Sequence, residues 1–338
     1  MSTALPAPRP RKTFPQISAV SWEHPADRAA LQTLRAVPGV DDLIRKVLAV
    51  LGGERGIRLL FQGNAVRAGT TQFPRLWQLH TEVATTFDWP NVPELYVSQT
   101  PFFNAGAYGI EAPFIVVHSA AIELLDDDEL RVLLAHETGH VISGHALYHT
   151  IAAILAMMSL GALPVLASIA VLPIRLAFLE WSRKSELSAD RAGLLGSQDI
   201  LVAQRLDMKM AGGGRGAAFA DQLDVEAFMR QAHEYANTAE GLDIIYKLLG
   251  TLALTHPMHT VRAAELQKWM ASGEYDRILR GEYTRRGTET KERPLKDDMA
   301  AAGAYYAGEA RELASQVAEV ARRAATSARE AFRNAQKP

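Results

Sequence analysis

The sequence predicts an α+β fold that is mostly helical, with a small β-sheet placed just before one central helix. Large apolar residues recur every three or four positions through most of the chain, which is the period of an amphipathic helix. Two short stretches, PELYVSQ and PFIVVHS, are instead β-branched or aromatic and are bounded by proline and polar residues, as strands are. Shortly after the second one, an acidic DDDEL starts a long apolar helix, where negative charge is favoured by the helix dipole.

The 338-residue chain has the composition of a globular protein, and its length allows one large domain with appendages. The formal net charge is −2 and no basic stripe is present, so we expect no nucleic-acid partner. The chain has no cysteine, which excludes disulfides and thiolate metal sites. The basic, proline-rich start lacks the pattern of a signal peptide. We therefore expect a protein that is cytoplasmic or peripherally associated with a membrane, and that is not secreted.

The individual elements follow from local patterns. Residues 1–20 are expected to form an extended, partly disordered arm. Helices are predicted for VPGVDDLIRKVLAVLGG and FPRLWQLHTEVATTFDW, and IRLLFQ between them fits a short helix or a strand. TPFFNAGAYGI, between the two predicted strands, contains glycine and suits a tight connection or a close backbone approach. The central helix should run from about Asp127 to His145, and the helices predicted after it are LEWSRKSELSADRAGLL, LDVEAFMRQAHEYA, LDIIYKLLGTLAL and THPMHTVRAAELQKWMASGEY.

Residues 151–179, IAAILAMMSLGALPVLASIAVLPIRLAFL, form an apolar stretch whose single charge is Arg175. A stretch of this length can cross a bilayer. Gly161, Pro164 and Pro173 interrupt it, however, and favour a hairpin of two shorter helices that turns near GALP. Two alternatives remain open. The hairpin is either a pair of core helices or a dimer contact, or it dips into or spans a membrane.

The alanine-rich residues 294–338 carry a thin apolar seam at helical spacing, which predicts a long helix. The seam residues are Leu313, Val317, Val320, Ala324 and Ala331. Such a helix serves either for self-association or as a solvated appendage. The chain is therefore expected to comprise the arm, a domain over residues 21–293 and this tail.

The stretch LLAHETGHVISGH on the central helix contains His-Glu-x-x-His at His136, Glu137 and His140. Residues four apart lie on one face of a helix, so the two histidines can bind one metal ion while Glu137 holds a water beside it. The alternative is two surface histidines on a capped helix. Apolar neighbours on both sides of the motif predict a buried helix, and buried histidines need partners.

A catalytic zinc ion has three protein ligands, so a third ligand is expected elsewhere in the chain. His145 and His149 are poorly placed, because they point away from the helix face that carries His140. Glu186, in SELSAD, is the better candidate.

Asp190 follows one turn after that glutamate and could accept the N–H of a metal-bound histidine. The small residues Ala189 and Gly193 would let this helix approach the central one closely. The alternative is that both acids are exposed beside Arg183 and Arg191.

THPMHTVRAAEL places a histidine beside a helix start, with Arg262 one or two turns later. Together they could donate hydrogen bonds to an oxyanion that develops during a reaction. An ordinary capped surface helix is the alternative.

Taken in order, NAGAYG, PFIVVHSAAIELLDDDELRVLLAHETGHVISGH, SELSAD and THPMHTVR resemble the HtpX-like and CAAX-prenyl-endopeptidase-like zinc metallopeptidases of the gluzincin clan. The resemblance covers roughly Pro90 to Arg262. It implies a zincin-like fold, one zinc ion per chain and endopeptidase activity on protein substrates. The roles it implies are zinc ligand for His136, His140 and Glu186, general base for Glu137, support of a ligand for Asp190, oxyanion donor for His256 and support of that donor for Arg262.

The same resemblance implies how substrate binds. PFIVVHS, which contains Phe114 and Val116, would be the edge strand that pairs with an extended substrate, and Asn104 and Ala105 would line the cleft. Usual members of the family have transmembrane helices before the metal helix, and this sequence has none there, so it is similar to the soluble or peripheral members. Two other functions remain open: a non-catalytic, metal-stabilised scaffold or interaction protein, and a membrane-anchored quality-control protease held through residues 151–179.

Overall fold

The computed structural model of the protein describes residues 10–50, 53–158, 165–214, 219, 222–237 and 257–289. Within them the helices are α1 (Pro25–Ala36), α2 (Val40–Val50), α3 (Gly53–Gln62), α4 (Pro74–Thr86), α5 (Ser119–Leu124), α6 (Asp127–Ile142), α7 (Ala146–Met158), α8 (Val165–Ser197), α9 (Ile200–Gly212), α10 (Val225–Asn237), α11 (His259–Ala271) and α12 (Glu274–Leu279). The strands are β1 (Ala65–Arg67), β2 (Glu94–Ser98), β3 (Ala105–Tyr108) and β4 (Phe114–His118). This order confirms the predicted α+β fold. The helices predicted for LDIIYKLLGTLAL and for residues 294–338 lie outside the described residues.

The sheet has four strands in the order β1-β2-β4-β3, with β2 and β4 parallel and both outer strands antiparallel to their neighbours. Strand β4 is therefore internal, and the expectation that PFIVVHS forms the edge is wrong. The edge on that side is β3, in the segment for which the sequence predicted only a connection. Glycine is depleted in strands, so NAGAYG has a weak strand signal, and pairing with β4 outweighs that local preference.

The two faces of β4 join different apolar clusters. Ile115 and Val117 belong to the main core, which also contains apolar residues of α6. Phe114 and Val116 point to the opposite face, because side chains alternate along a strand, and they pack in a cluster with Ile57 of α3. Their side chains are 0% and 2% exposed. The expectation that Phe114 and Val116 contact substrate is therefore wrong, since neighbouring strands and core residues cover them.

Helix α6 begins with a capping box. The Asp126 carboxylate accepts from the N–H of Glu129, and the Glu129 carboxylate accepts from the N–H of Asp126, both at 2.9 Å. The fully buried Glu129 also accepts from Arg205 at 2.6 Å and from Lys209 at 2.7 Å, both in α9. These contacts fix the start of the central helix against α9.

The end of α6 comes earlier than the sequence predicted. The helix stops at Ile142 and does not reach His145, because Gly144 adopts a left-handed conformation with φ +72°. The N–H of His145 then donates to the carbonyl of His140 at 2.9 Å. The turn therefore brings His145 back towards the last turn of α6.

Helices α6 and α8 are in close contact through small residues. A Cβ added to Gly139 would lie 2.5 Å from the Cβ of Ala192, and Ala189 lies next to the same position. This contact confirms the predicted close approach of the two helices. It also brings the side chains of α8 within hydrogen-bond distance of the histidines of α6.

The apolar residues 151–179 belong to α7 and α8, and residues 159–164 between the helices lie outside the described residues. Helix α8 continues unbroken through Pro173 to Ser197, so the helix predicted from Leu179 is the second part of a longer one. The described apolar side chains of this segment pack against α1 and α2, and they include Ile151, Ile174 and Phe178. In the part of the chain that the structure describes, no helix is both long enough and apolar enough to cross a membrane.

The N-terminal arm is ordered against the domain where it is described. Residues 1–9 lie outside the described residues, but Phe14 and Ile17 are buried in the main core. The N–H of Phe14 donates to the carbonyl of Thr86 at 2.8 Å. The expectation of disorder is therefore wrong for residues 10–20, because two large apolar side chains anchor them.

Candidate metal centre

Three buried side chains from two helices bring their ligand atoms together. His136 and His140 lie one turn apart on α6, and Glu186 comes from α8. The Nε2 atom of His136 lies 3.3 Å from Glu186 Oε2, and the Nε2 atom of His140 lies 3.4 Å from Glu186 Oε1. The two Nε2 atoms are 3.2 Å apart. The structure thus brings the three predicted ligands into one cluster that can hold a metal ion.

The spacing of these atoms fits a tetrahedral ion of the size of zinc. Zinc binds nitrogen and oxygen ligands at about 2.0–2.1 Å, so two atoms bound to the same tetrahedral zinc lie about 3.3 Å apart. The three observed separations, 3.2, 3.3 and 3.4 Å, agree with that value. Two imidazoles and one carboxylate also form the ligand set of catalytic sites that keep a fourth position open.

The carboxylates around the cluster favour a positive charge at its centre. Burial alone lowers the pKa of His136, but hydrogen bonds and charge from Asp190 and Glu186 raise it to about 10. For His140 burial dominates over the attraction of Glu186, and the pKa falls to about 4. A divalent cation bound to both imidazoles would satisfy the same carboxylates and displace the proton from His136.

Asp190 lies on the outer side of His136, where the sequence predicted an acceptor. Its Oδ1 is 3.0 Å from His136 Nδ1, so Nδ1 donates its hydrogen to Asp190. A metal ion that displaces the second proton would take the lone pair of Nε2. Arg262 fixes this carboxylate, since its Nε donates to Oδ2 at 2.9 Å and its Nη2 donates to Oδ1. Burial raises the pKa of Asp190, but Arg262 and His136 together lower it to about 2. Arg262 therefore contacts the ligand set through Asp190 and also directly, since its Nη1 lies 3.6 Å from Glu186 Oε2.

His145 is not one of the clustered ligands, but it contacts one. Its Nδ1 lies 2.9 Å from Nδ1 of His140, and its Nε2 lies 3.1 Å from Oδ2 of Asp27 in α1. Neither residue was predicted to support a metal ligand. The sequence pattern could indicate His145, which follows His140 in the same stretch. It could not indicate Asp27, because helical spacing relates only residues of one helix.

Glu137 lines a cavity of about 190 Å³ beside the clustered ligands and is 4% exposed. Asn104 and Ala105, predicted to line the cleft, lie on the wall of the same cavity. The apolar part of the wall comes from α6, α9 and α11, and its side chains are Val132, Leu133, Ala203, Leu206, Met210 and Leu266. The carboxylate of Glu137, two of the three candidate ligands (His136 and Glu186) and an apolar recess thus face one space.

The predicted oxyanion donor, His256, lies outside the described residues. His259, at the start of α11, lines the cavity, and its Nδ1 lies 3.3 Å from Oδ1 of Asp207 in α9. Burial raises the pKa of the Asp207 carboxyl. His259 was not predicted as a site residue, although THPMHTVR contains both histidines. A single acid within an ordinary helix gave no signal for Asp207.

Comparison with known proteins assigns the chain to a family. Residues 70–270, more than half of the chain, match the family model for Peptidase family M48. The chain belongs to peptidase family M48. It is 36% identical over 274 residues to the plastoglobule-localized metallopeptidase 48, chloroplastic, of Arabidopsis thaliana, which covers 80% of this chain and 78% of that protein. It is 31% identical over 104 residues to the protease HtpX homologs of Tropheryma whipplei strains Twist and TW08/27, covering 28% of this chain and 35% of each relative. No solved structure matches the chain.

Membership of M48 confirms the resemblance to HtpX-like enzymes and identifies the chain as a metal-dependent peptidase. The residues that match the M48 model contain the clustered ligands together with Asp190 and Arg262. Helix α1, which carries Asp27, precedes the matched residues. The M48 match and the geometry therefore point to the same ligand cluster.

Proposed function

We propose that the chain is a zinc-dependent endopeptidase that hydrolyses internal peptide bonds of protein substrates. His136, His140 and Glu186 hold one zinc ion, and Glu137 is the general base. The observation that carries this proposal is the set of ligand-atom separations, 3.2 to 3.4 Å, which fits a tetrahedral zinc ion. Three ligands with a carboxylate beside them favour catalysis over a structural site, because structural zinc sites are closed by four protein ligands.

When bound, zinc supplies a Lewis acid that polarises the scissile carbonyl and lowers the pKa of water towards neutrality. Glu137 accepts the proton of the attacking water and returns it to the nitrogen of the leaving amine. Asp190 holds His136 in the tautomer whose Nε2 faces the cluster, and Arg262 holds Asp190. In this proposal Glu137 transfers the proton, and Asp190 and Arg262 keep His136 in its ligand orientation.

The oxyanion of the tetrahedral intermediate requires hydrogen-bond donors from the chain. His256 is proposed as this donor on the resemblance of THPMHTVR to the family motif. His259 is a second candidate, because it lines the cavity and Asp207 engages its Nδ1. With Nδ1 donating to Asp207, its Nε2 can donate to a substrate when the ring is the doubly protonated imidazolium.

Strand β3 is proposed to pair with an extended substrate, in place of β4. The carbonyl of Asn104 accepts from the N–H of His118 at 3.0 Å, and hydrogen-bonded pairs alternate along antiparallel strands. The peptide groups of Ala105 and Ala107 therefore point away from β4. Ala107 is fully buried, whereas Ala105 lines the cavity. The N–H of Ala105 donates to the side chain of Asn104 at 2.9 Å, so the carbonyl of Ala105 is the group proposed to accept from a substrate strand.

The cellular location is proposed from the sequence and one relative. The Arabidopsis relative is named as plastoglobule-localized and chloroplastic. For this chain we propose a cytoplasmic location, with peripheral membrane association through residues 151–179 or self-association through residues 294–338 as additions. Fractionation with and without detergent tests the first addition, and the solution mass of a chain that ends at residue 293 tests the second.

The proposed activity can be tested with an unfolded protein as substrate. The purified chain should produce internal fragments, lose this activity on treatment with a chelator, and regain it with one equivalent of zinc. Mass spectrometry of the fragments establishes that internal bonds are cut. Cleavage that persists in a zinc-free sample would contradict the proposal. A sample that holds one zinc and cleaves no protein would favour the non-catalytic scaffold.

A further inference from the structure

Each histidine of the ligand cluster has a hydrogen-bond partner on its outer nitrogen, but the two partners differ. For His136 the partner is a carboxylate, Asp190. For His140 the partner is a second imidazole, His145, at 2.9 Å between the two Nδ1 atoms. Behind that imidazole lies the carboxylate of Asp27, 3.1 Å from His145 Nε2.

The backbone holds His145 in this position independently of its side chain. The left-handed Gly144 turns the chain, and the N–H of His145 donates to the carbonyl of His140. The imidazole of His145 is 2% exposed and packs edge-on against Trp181, with ring centroids 5.6 Å apart. Its orientation is therefore fixed by a backbone bond, an aromatic contact and two ring-nitrogen contacts.

The carboxylate of Asp27 fixes the hydrogens along this chain of contacts. An ionised carboxylate can only accept, so His145 Nε2 carries a hydrogen, and in the neutral ring Nδ1 is then an acceptor. The hydrogen between the two Nδ1 atoms therefore belongs to His140. The Nε2 of His140 is left with a lone pair, and it faces Glu186 and His136.

The same assignment follows from the metal side. An ion bound at His140 Nε2 requires the hydrogen of a neutral imidazole to lie on Nδ1. His145 must then accept through its Nδ1 and carry its own hydrogen on Nε2, which needs an acceptor such as Asp27. The Asp27 carboxylate at one end and a metal ion at His140 Nε2 at the other thus require the same tautomers of His140 and His145.

Asp27 is itself held between α1 and α8. Ser188, two residues after Glu186, donates from its Oγ to Asp27 Oδ2 at 2.6 Å. The N–H of His24, which caps α1, donates to the Oγ of Ser188 at 2.9 Å. The carboxylate is 1% exposed. The start of α1 is therefore tied to the segment of α8 that carries a ligand.

We propose that Asp27 and His145 are positioning residues of the metal centre, and that they set the tautomer and orientation of His140 through a carboxylate–imidazole–imidazole chain. The inference rests on the proposed function, because it takes His140 as a metal ligand. It extends the functional centre to α1, which lies before the residues matched to the family. Partners of this kind typically change metal affinity by about 10- to 100-fold.

The test measures the zinc affinity of full-length variants by competition with a chromogenic chelator, and the visible spectrum of the cobalt-substituted protein. His145→Leu removes the acceptor for His140 and should weaken zinc binding by about 10-fold or more. His145→Asn keeps a carbonyl oxygen near the position of Nδ1 and should recover part of that loss. Both leucine and asparagine variants should shift the cobalt spectrum, the leucine variant more.

A double-mutant cycle separates positioning from stability. Asp27→Asn should weaken zinc binding by about 10-fold in the otherwise unchanged chain. It should have almost no further effect in the His145→Asn background, because the link from Asp27 to His140 is already cut there. Equal effects of Asp27→Asn in both backgrounds would overturn the proposal.

His80→Leu is the matched control for the loss of a buried histidine. The His80 side chain is fully buried and contacts the carbonyl of Pro93 at 2.9 Å, away from the cluster. This variant should lower the unfolding temperature without changing the zinc affinity or the cobalt spectrum. If the Asp27 and His145 variants behave in the same way, their role is structural and the proposal is wrong. Absence of zinc binding by the unaltered chain would instead overturn the proposed function, and this inference with it.

Discussion

Glu186 is the residue that joins the two helices of the candidate metal centre. Its carboxylate lies within 3.4 Å of both imidazoles, and its side chain is 2% exposed. Such a buried carboxylate is costly unless positive charge or hydrogen bonds surround it. A metal ion between Glu186 and the two histidines provides that charge, which explains why an acid occupies this position in a tightly packed helix pair.

Replacement of Glu186 should therefore release the metal. We expect Glu186→Ala to retain less than about one tenth of the zinc held by the unaltered chain after dialysis against a chelator. Metal analysis of the dialysed protein measures this. Glu180→Ala is the control, because Glu180 lies on the same helix and pairs only near the surface with Arg183 and Lys184. Unchanged zinc content in Glu186→Ala would remove this residue from the ligands.

The oxyanion donor is tested by comparing two histidines. His256→Phe should lower kcat by about 100-fold and leave one zinc bound, because the lost interaction forms only in the transition state. His259→Phe is the matched variant on the same segment. A larger loss of kcat in His259→Phe would transfer the role to the pair formed with Asp207. Loss of zinc from His256→Phe would contradict its assignment as a donor.

At the scale of elements, strand β3 and the contact between α6 and α8 determine what reaches the metal centre. β3 pairs with β4 along one side, and its first residue, Ala105, lines the cavity beside the ligands. The strand content of PFIVVHS could be predicted, because β-branched residues favour strands locally. The position of that strand within the sheet could not, since strand order depends on pairing between distant segments.

The contact between α6 and α8 makes a separate prediction at Gly139. Gly139→Ala places a methyl group 2.5 Å from the Cβ of Ala192, so one helix must shift. We expect a loss of about 1–3 kcal/mol in the free energy of unfolding of the metal-free chain, measured in denaturant. Gly212→Ala is the control, because a Cβ there meets no atom within 4 Å. Equal stability of both variants would contradict the close packing of these helices.

At the scale of the whole molecule, predictability depends on how far apart the interacting residues lie in the sequence. His136, Glu137 and His140 were predictable because their geometry belongs to one helix. Glu186 required a second helix, and its one-turn spacing from Asp190 was the only local signal. The contribution of α1 could not be predicted from the sequence, because Asp27 reaches the centre through tertiary packing of α1 on α8.

In the two terminal regions, too, contacts with distant parts of the chain could not be predicted from the sequence. The burial of Phe14 and Ile17 could not be read from a basic, proline-rich segment, since the groove that receives them is built by distant elements. The tail over residues 294–338 stays a prediction of helical structure. Outside the matched family region, α1 therefore adds Asp27 to the centre, and the ordered part of the arm adds Phe14 and Ile17 to the core.

The measurement that tests the central claim most directly is the turnover of Glu137→Gln with its zinc content determined on the same sample. The account predicts one bound zinc and cleavage of an unfolded protein slower by at least about 100-fold, because the amide can neither accept nor return the proton. Turnover equal to that of the unaltered chain, with zinc still bound, would contradict the role of Glu137 and the mechanism built on it.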